Sequence, residues 1–256
     1  MPQKELNETE KKQTKIALKL AIFFACLLLI DFLVTCIFFS YSDWIAVLLF
    51  SLLFIVPAYF SNAGMVIVGG GKPIDGGRNL RDGRRILGDH KTWKGLIFGP
   101  LFIGIPLSIG IFLLFLPLWP FIAEFQKAAA KKDLYKLYID ISSYKYYFIG
   151  GNFPVGFYSL IIRIILCSYG AAIGDLIGSF LKRRFDYHSG SPLWGLDQLD
   201  FAIFAILFTS IPAIFYPELF WIPDLNIVIL LLILTPAVSI IANEIAYLIG
   251  LKDVPW

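Results

Sequence analysis

Six apolar stretches separated by polar segments organise the chain. They run at about 16–39, 44–68, 95–118, 155–181, 201–217 and 226–250, near the roughly 17–25 residues a helix needs to cross a bilayer. The fifth is short, bounded by Asp200 and Pro217. Pro57, Pro106, Pro212 and Pro236 lie inside these stretches, which membrane helices tolerate because neighbouring helices re-satisfy the freed carbonyls. The first run is too long for a cleavable signal peptide and lacks a small-residue cleavage site. The pattern predicts an all-α integral membrane protein with about six transmembrane helices. Residues 1–43 form an N-terminal tail and first helix, and residues 44–256 a membrane domain with polar loops at 69–94 and 182–200.

Composition agrees. Hydrophobic residues make up 58% and charged residues 16%, with mean hydropathy +0.74, against about 45–50% and 25% for soluble domains. Disorder is excluded, since it needs low hydrophobicity. The net charge of +3 gives no reason to expect a nucleic-acid partner. Cys26, Cys36 and Cys167 all lie in apolar runs and form neither a metal spacing nor a disulfide framework.

The placement of the charge matters more than its total. Lys4, Lys11, Lys12, Lys15 and Lys19 precede or enter the first span, seven cations lie between spans two and three, and Lys182, Arg183 and Arg184 follow span four. The opposite segments Ser40–Asp43 and Glu218–Asp224 carry no basic residue. The positive-inside rule therefore places both termini and both loops in the cytoplasm of a multi-pass cell-membrane protein. Residues 119–154 disagree, because they would lie outside yet carry Lys127, Lys131, Lys132, Lys136 and Lys145. A polar surface helix over Ala123–Ile139 is the expectation there.

The first loop packs Lys72, Arg78, Arg81, Arg84, Arg85, Lys91 and Lys94 with Asp75, Asp82 and Asp89 among glycines. Dispersed cations and backbone N–H groups on glycine turns suit a polyphosphate, and aspartates among them suit Mg²⁺. A loop binding anionic headgroups needs only Lys and Arg and leaves the aspartates unexplained. A Walker loop fails, because Pro73 follows Gly71-Lys72 where Ser or Thr is required.

Near the second loop, Gly170, Gly174 and Gly178 recur every four residues, so one helix face allows close backbone approach. Asp175 lies near the cytoplasmic end of that helix. A carboxylate costs about 2.5–3.5 kcal/mol at a helix centre and less near an end, so it reads as functional. Asp197 and Asp200 share a face if helical. Either could serve as a cap, but three carboxylates converging below a basic loop suit a metal site better. His90 and His188, the only histidines, give no zinc set and read equally as polar loop residues or proton carriers. Besides Asp175 and the entry residue Lys19, three charges lie within spans. Asp31 has its cost offset by the apolar residues around it, whereas Arg163 and Glu244 either pair with each other or leave Arg163 to serve a lipid phosphate.

These motifs resemble the CDP-archaeol synthase family, membrane cytidylyltransferases related to CDP-diacylglycerol synthases. The resemblance rests on Pro73–Arg78, on Asp82–Gly95 and on Gly174–Arg184 with Leu196–Phe201, and covers about 52–250. Ser179, Lys182, Arg183, Asp197 and Asp200 also stand where the wider phosphatidate cytidylyltransferase signature has Ser-x-x-Lys-Arg and Asp-x-x-Asp. Between them, His188–Pro192 replaces that signature's Lys-Asp and glycine-rich stretch, placing the chain on the archaeol branch. CDP-alcohol phosphotransferases do not fit, since Asp82-Gly83 lacks the following Ala-Arg and Asp197 and Asp200 are spaced too closely.

The resemblance implies a five-helix core, to which span one is an addition. It also implies a reaction: CTP and 2,3-bis-O-geranylgeranylglycerol 1-phosphate give a CDP-lipid and pyrophosphate, with Mg²⁺ as cofactor. Asp175, Asp197 and Asp200 are the expected metal ligands. Lys91, Lys94, Lys182 and Arg183 are expected to hold the triphosphate, and Arg78, Arg84 and Arg85 either triphosphate or lipid phosphate. Asp75, Asp82 and Asp89 ligate a second cation or orient arginines. The alternatives are a synthase acting on phosphatidic acid and a non-enzymatic anionic-lipid-binding or transport protein, the latter disfavoured because no paired halves are visible.

Overall fold

The computed structural model describes residues 8–130, 137, 141–151, 154–187 and 191–249. Among these there is no strand, only the isolated bridges Pro73–Thr92 and Asn79–Arg85. The helices are α1 (Glu8–Phe38), α2 (Tyr41–Val68), α3 (Trp93–Gly99), α4 (Ile105–Ala130), α5 (Ile141–Ile149), α6 (Val155–Arg184), α7 (Leu196–Ser210) and α8 (Leu225–Leu248). Six helical stretches are long and apolar enough to cross a membrane: Lys11–Phe38, Tyr41–Val68, Trp93–Glu124, Val155–Arg184, Leu196–Ile214 and Leu225–Tyr247.

The third of these joins α3 to α4 through a π-helical turn, Pro100–Gly104. Pro100 has no N–H to donate to the carbonyl one turn back, and a widened turn absorbs the loss. The same stretch packs almost without side chains on α2. A Cβ on Gly104 would come within 1.9 Å of Ser61 Oγ, and one on Gly99 within 2.6 Å of the Met65 nitrogen.

The glycine stripe of α6 receives α7. A Cβ on Gly170 would stand 2.8 Å from the Phe204 carbonyl oxygen, and one on Gly174 2.5 Å from that of Asp200. α7 also begins at Leu196, earlier than the apolar run from 201, so Asp197 and Asp200 lie in its first turns. Gly195, with φ 92°, turns the chain into it, and its N–H donates to Gln198 Oε1 at 2.6 Å.

The first part of the surface helix expected over Ala123–Ile139 is the end of a membrane-length helix. α4 continues to Ala130, and most of 131–140 lies outside the described residues. α5 then folds back into the bundle at the end away from the two loops. Tyr147 and Phe148 are buried, with Tyr147 stacked on Phe50 at 4.1 Å and edge-on to Trp221 at 4.8 Å. The Leu137 N–H donates to Asp43 Oδ1 at 3.0 Å, and Asp43 also accepts from the Ser40 hydroxyl that caps α2.

Two intramembrane charges find partners the sequence did not indicate. Asp31 accepts from Trp44 Nε1 at 2.9 Å, so an indole offsets its burial more directly than the surrounding apolar side chains. Arg163, 4% exposed, does not pair with Glu244. It lies against the rings of Phe112 and Tyr146 at 5.8 and 5.6 Å and donates to the Tyr147 carbonyl at 3.3 Å. It is twelve residues from Asp175 on one helix, about 18 Å at 1.5 Å per residue, too far to share a substrate phosphate with that carboxylate. Arg163 is an anchor for α5.

α1 rests on α8 and α2, and most of its surface faces outward. Its first turns lie at the loop end, where Trp194 Nε1 donates to Gln13 Oε1 at 2.9 Å.

Candidate active site

The first loop is built around Asp75, whose side chain is 0% exposed. Arg85 Nε and Nη2 reach its two oxygens at 3.0 and 3.2 Å, and the N–H groups of Gly77 and Leu87 each donate at 3.0 Å. Burial alone would raise this carboxyl's pKa. The Arg85 guanidinium and the two N–H donors outweigh it and hold the group below its ordinary value. Arg85 also binds Asp89, and these two carboxylates hold its guanidinium more firmly protonated than usual. Within the loop, the hairpin closing with Leu80 N–H on the Arg84 carbonyl at 2.8 Å turns at Gly83, φ 76°, a left-handed conformation that favours glycine.

The loop folds onto the end of α6. Arg184 binds Asp82 and the carbonyls of Arg84 and Arg85, while Arg84 donates to the Arg184 carbonyl and lies 3.4 Å from Asp186. Burial also works to raise the Asp82 pKa, but the Arg84 N–H and the Arg184 guanidinium hold it below the ordinary value. Asp75, Asp82 and Asp89 each pair with an arginine here. Arg84 and Arg85 are committed to fastening the loop. Arg78 and Lys94 are exposed, and no ion pair of theirs occurs among the described residues.

Thr92 caps α3, accepting from the Gly95 N–H at 3.2 Å, and this turn presents Lys91 to Asp175. Lys91 Nζ lies 2.7 and 2.6 Å from the two Asp175 oxygens. A narrow cleft of about 20 Å³, room for about one water, adjoins the pair, bounded by His90, Thr92 and Gly95 and by the apolar Met65, Leu96 and Leu176. The second pair is Lys182 Nζ with Asp197 Oδ2 at 2.8 Å, the same oxygen accepting from the Leu193 N–H at 2.9 Å. Arg183 donates to the Tyr187 carbonyl. His188 lies outside the described residues.

Asp200 completes the arrangement. It is 7% exposed, accepts from the Phe201 N–H at 2.6 Å and makes no ion pair, although Asp175, Asp197 and Lys91 are within electrostatic reach. Its Oδ2 occupies the space a side chain on Gly178 would take, 1.9 Å from an added Cβ. Asp175, Asp197 and Asp200 thus gather at one end of α6 and α7 but do not close on a common point. Among the described residues no three acidic, His or Cys side chains form a metal cluster, because lysines occupy Asp175 and Asp197. A buried carboxylate without a cation partner, beside two carboxylates on exchangeable ammonium groups, is an all-oxygen donor set that fits Mg²⁺ bridged to phosphate.

Six membrane-length helices with a glycine-rich cationic loop closed over carboxylates at one end define a multi-pass membrane protein with a phosphate-handling site. Residues 44–115 and 136–256 match the family model described as CarS-like, CDP-archaeol synthase. A CDP-archaeol synthase of Thermococcus onnurineus is 39% identical over 209 residues, covering 82% of this chain and 97% of that protein. That of Thermococcus kodakarensis is 38% identical over 83% and 99% of the two chains, and that of Methanosarcina barkeri 38% identical over 78% and 99%. A solved structure titled as an intramembrane enzyme for archaeal membrane lipids biosynthesis aligns at 27% identity, over 75% of this chain and 91% of that one, with TM-score 0.48. The chain belongs to the CDP-archaeol synthase family and is a membrane cytidylyltransferase of lipid biosynthesis.

Proposed function

We propose that the protein transfers the cytidylyl group of CTP to 2,3-bis-O-geranylgeranylglycerol 1-phosphate. A phosphate oxygen of the lipid attacks the α-phosphorus, one P–O bond forms, the bond to the β-phosphate breaks and pyrophosphate leaves. The nucleophile is already an anion, so the protein's contribution is positioning and charge neutralisation. The observation that carries this reading is the pair of lysine–carboxylate contacts, Lys91–Asp175 and Lys182–Asp197, beside the buried Asp200.

A lysine ammonium is a mobile point charge on a flexible stem, so phosphate oxygens can draw Lys91 and Lys182 from their carboxylates. Lys94, Arg78 and Arg183 add positive charge at the rim. Mg²⁺, when bound to the freed Asp175, Asp197 and Asp200, would neutralise charge on the triphosphate. The cleft beside Lys91, polar at its Asp175 side and apolar along Met65, Leu96 and Leu176, would have to widen to admit a lipid headgroup between these polar and apolar walls. Both loops and the first turns of α1 lie at one end, and the positive-inside distribution of charge supports a cytoplasmic location for that end in the cell membrane.

The test is a membrane assay with radiolabelled CTP, Mg²⁺ and either the unsaturated diether phosphate or phosphatidic acid. CDP-lipid from the diether phosphate is the expected product. Product from phosphatidic acid alone overturns the diether assignment, and no product from either overturns the activity.

A further inference from the structure

The family model begins at residue 44, so α1 lies outside the part of the chain that matches it. Yet α1 is not merely attached at the periphery. At its far end Asp31 holds Trp44, and at its near end Gln13 Oε1 accepts the indole N–H of Trp194. Trp194 belongs to the short connection between α6 and α7 whose main chain holds Asp197. Leu193, the preceding residue, donates its N–H to Asp197 Oδ2 at 2.9 Å and accepts from the Asp197 N–H at 3.1 Å. Gly195, the following residue, is fixed by Gln198. Leu193, Trp194 and Gly195 are therefore held at three successive positions, two by groups in the first turn of α7 and the middle one by α1.

We infer that α1 is a positioning element for the active site, acting through the Gln13–Trp194 hydrogen bond to fix the 191–195 connection and with it the Asp197 carboxylate that Lys182 pairs with. This rests on the proposed function, because it assigns Asp197 to that site. Gln13 and Trp194 are positioning residues, not catalytic ones. An indole suits this role because it has one donor and no acceptor, so a single correctly placed oxygen determines its orientation. A hydrogen bond that holds a polar connection at the membrane surface contributes modestly to overall stability, but a small displacement of a group at the reacting centre has a larger effect on rate.

The experiment compares Gln13→Ala, Gln13→Glu and Trp194→Phe with the unmodified full-length protein, and uses Trp44→Phe as control. Trp44→Phe removes another polar tie of α1, to Asp31, without touching the connection. Gln13→Ala and Trp194→Phe are expected to lower kcat/KM for CTP by roughly three- to tenfold, the effect of one hydrogen bond on a barrier, with melting temperature nearly unchanged. Gln13→Glu keeps an acceptor for the indole and is expected to restore most of the rate, while the double variant Gln13→Ala/Trp194→Phe is expected to be no slower than either single one. Trp44→Phe is expected to lower the melting temperature and leave kcat/KM unchanged. Gln13→Ala and Trp194→Phe both within twofold of the unmodified protein overturns the inference, as does an equal loss of kcat/KM in Trp44→Phe. An inactive unmodified protein is a separate result and overturns the proposed function instead.

Discussion

Lys91 Nζ contacts both carboxylate oxygens of Asp175, at 2.7 and 2.6 Å, joining the first loop to α6 across 84 residues of sequence. On the proposed function, the contact sets one cation and one carboxylate side by side for the triphosphate and its metal. Lys91→Met is expected to lower kcat at least about 100-fold, the scale for a removed charge-stabilising donor. The exposed Lys72, changed to Met, is expected to leave kcat within about twofold. Steady-state kinetics on purified protein, with CTP and lipid phosphate both varied, measure the two.

Asp200 is a buried carboxylate with no ion pair among the described residues, so its charge has much to gain from a bound cation. Asp200→Asn is expected to abolish turnover while the protein still inserts and elutes as a single folded species. Chelation by EDTA is expected to stop the unmodified enzyme, and added Mg²⁺ to restore it. Near-normal turnover by Asp200→Asn would take that residue out of the site.

Gly178 makes room for that carboxylate. In Gly178→Ala the new Cβ meets Asp200 Oδ2, which must move, pushing α7 from α6. Both the melting temperature and kcat are expected to fall. Gly110→Ala serves as comparison, because nothing lies within 4 Å of a Cβ there, and it is expected to be neutral or slightly stabilising. Thermal melts in detergent, with activity measured on the same samples, decide between these outcomes.

Acid should loosen the first loop through Asp75. Its folded-state pKa is lowered, so its stabilising contribution is fully present above the unfolded value near 3.9 and is lost as pH falls through the folded one. Melting temperatures recorded from pH 7 to pH 3 are expected to fall in the acidic part of that range for the unmodified protein. Asp75→Asn is expected to start lower, because Arg85 loses its buried partner and keeps only the exposed Asp89, and to show a shallower acid slope. A slope identical to that of the unmodified protein would show that other carboxylates govern the acid transition.

The spans were legible because apolar runs of membrane length need no tertiary information, and the α6 stripe of glycines announced a close neighbour without saying which. Boundaries were less so. α7 starts at Leu196 because Gly195 and Gln198 supply its cap, a signal hydropathy does not carry. The site was legible as residue types, since cations and aspartates beside glycines are visible locally. Their pairings were not, because Lys91–Asp175 and Arg184–Asp82 join positions 84 and 102 residues apart. Arg163 and Glu244 looked like partners because two opposite charges in a membrane invite pairing, whereas aromatic faces can also hold a guanidinium, as Phe112 and Tyr146 do here. The cap formed by α5 was missed because the lysines that precede it, Lys127, Lys131, Lys132 and Lys136, drew attention to the polar part of the segment. The Tyr146-Tyr147-Phe148 run was the available clue.

That cap also sets where the chemistry can sit. Tyr147 and Phe148 fill the end of the bundle opposite the loops, so among the described residues the clustered cations and carboxylates belong to the other end. On the proposed function, nucleotide and lipid phosphate meet there.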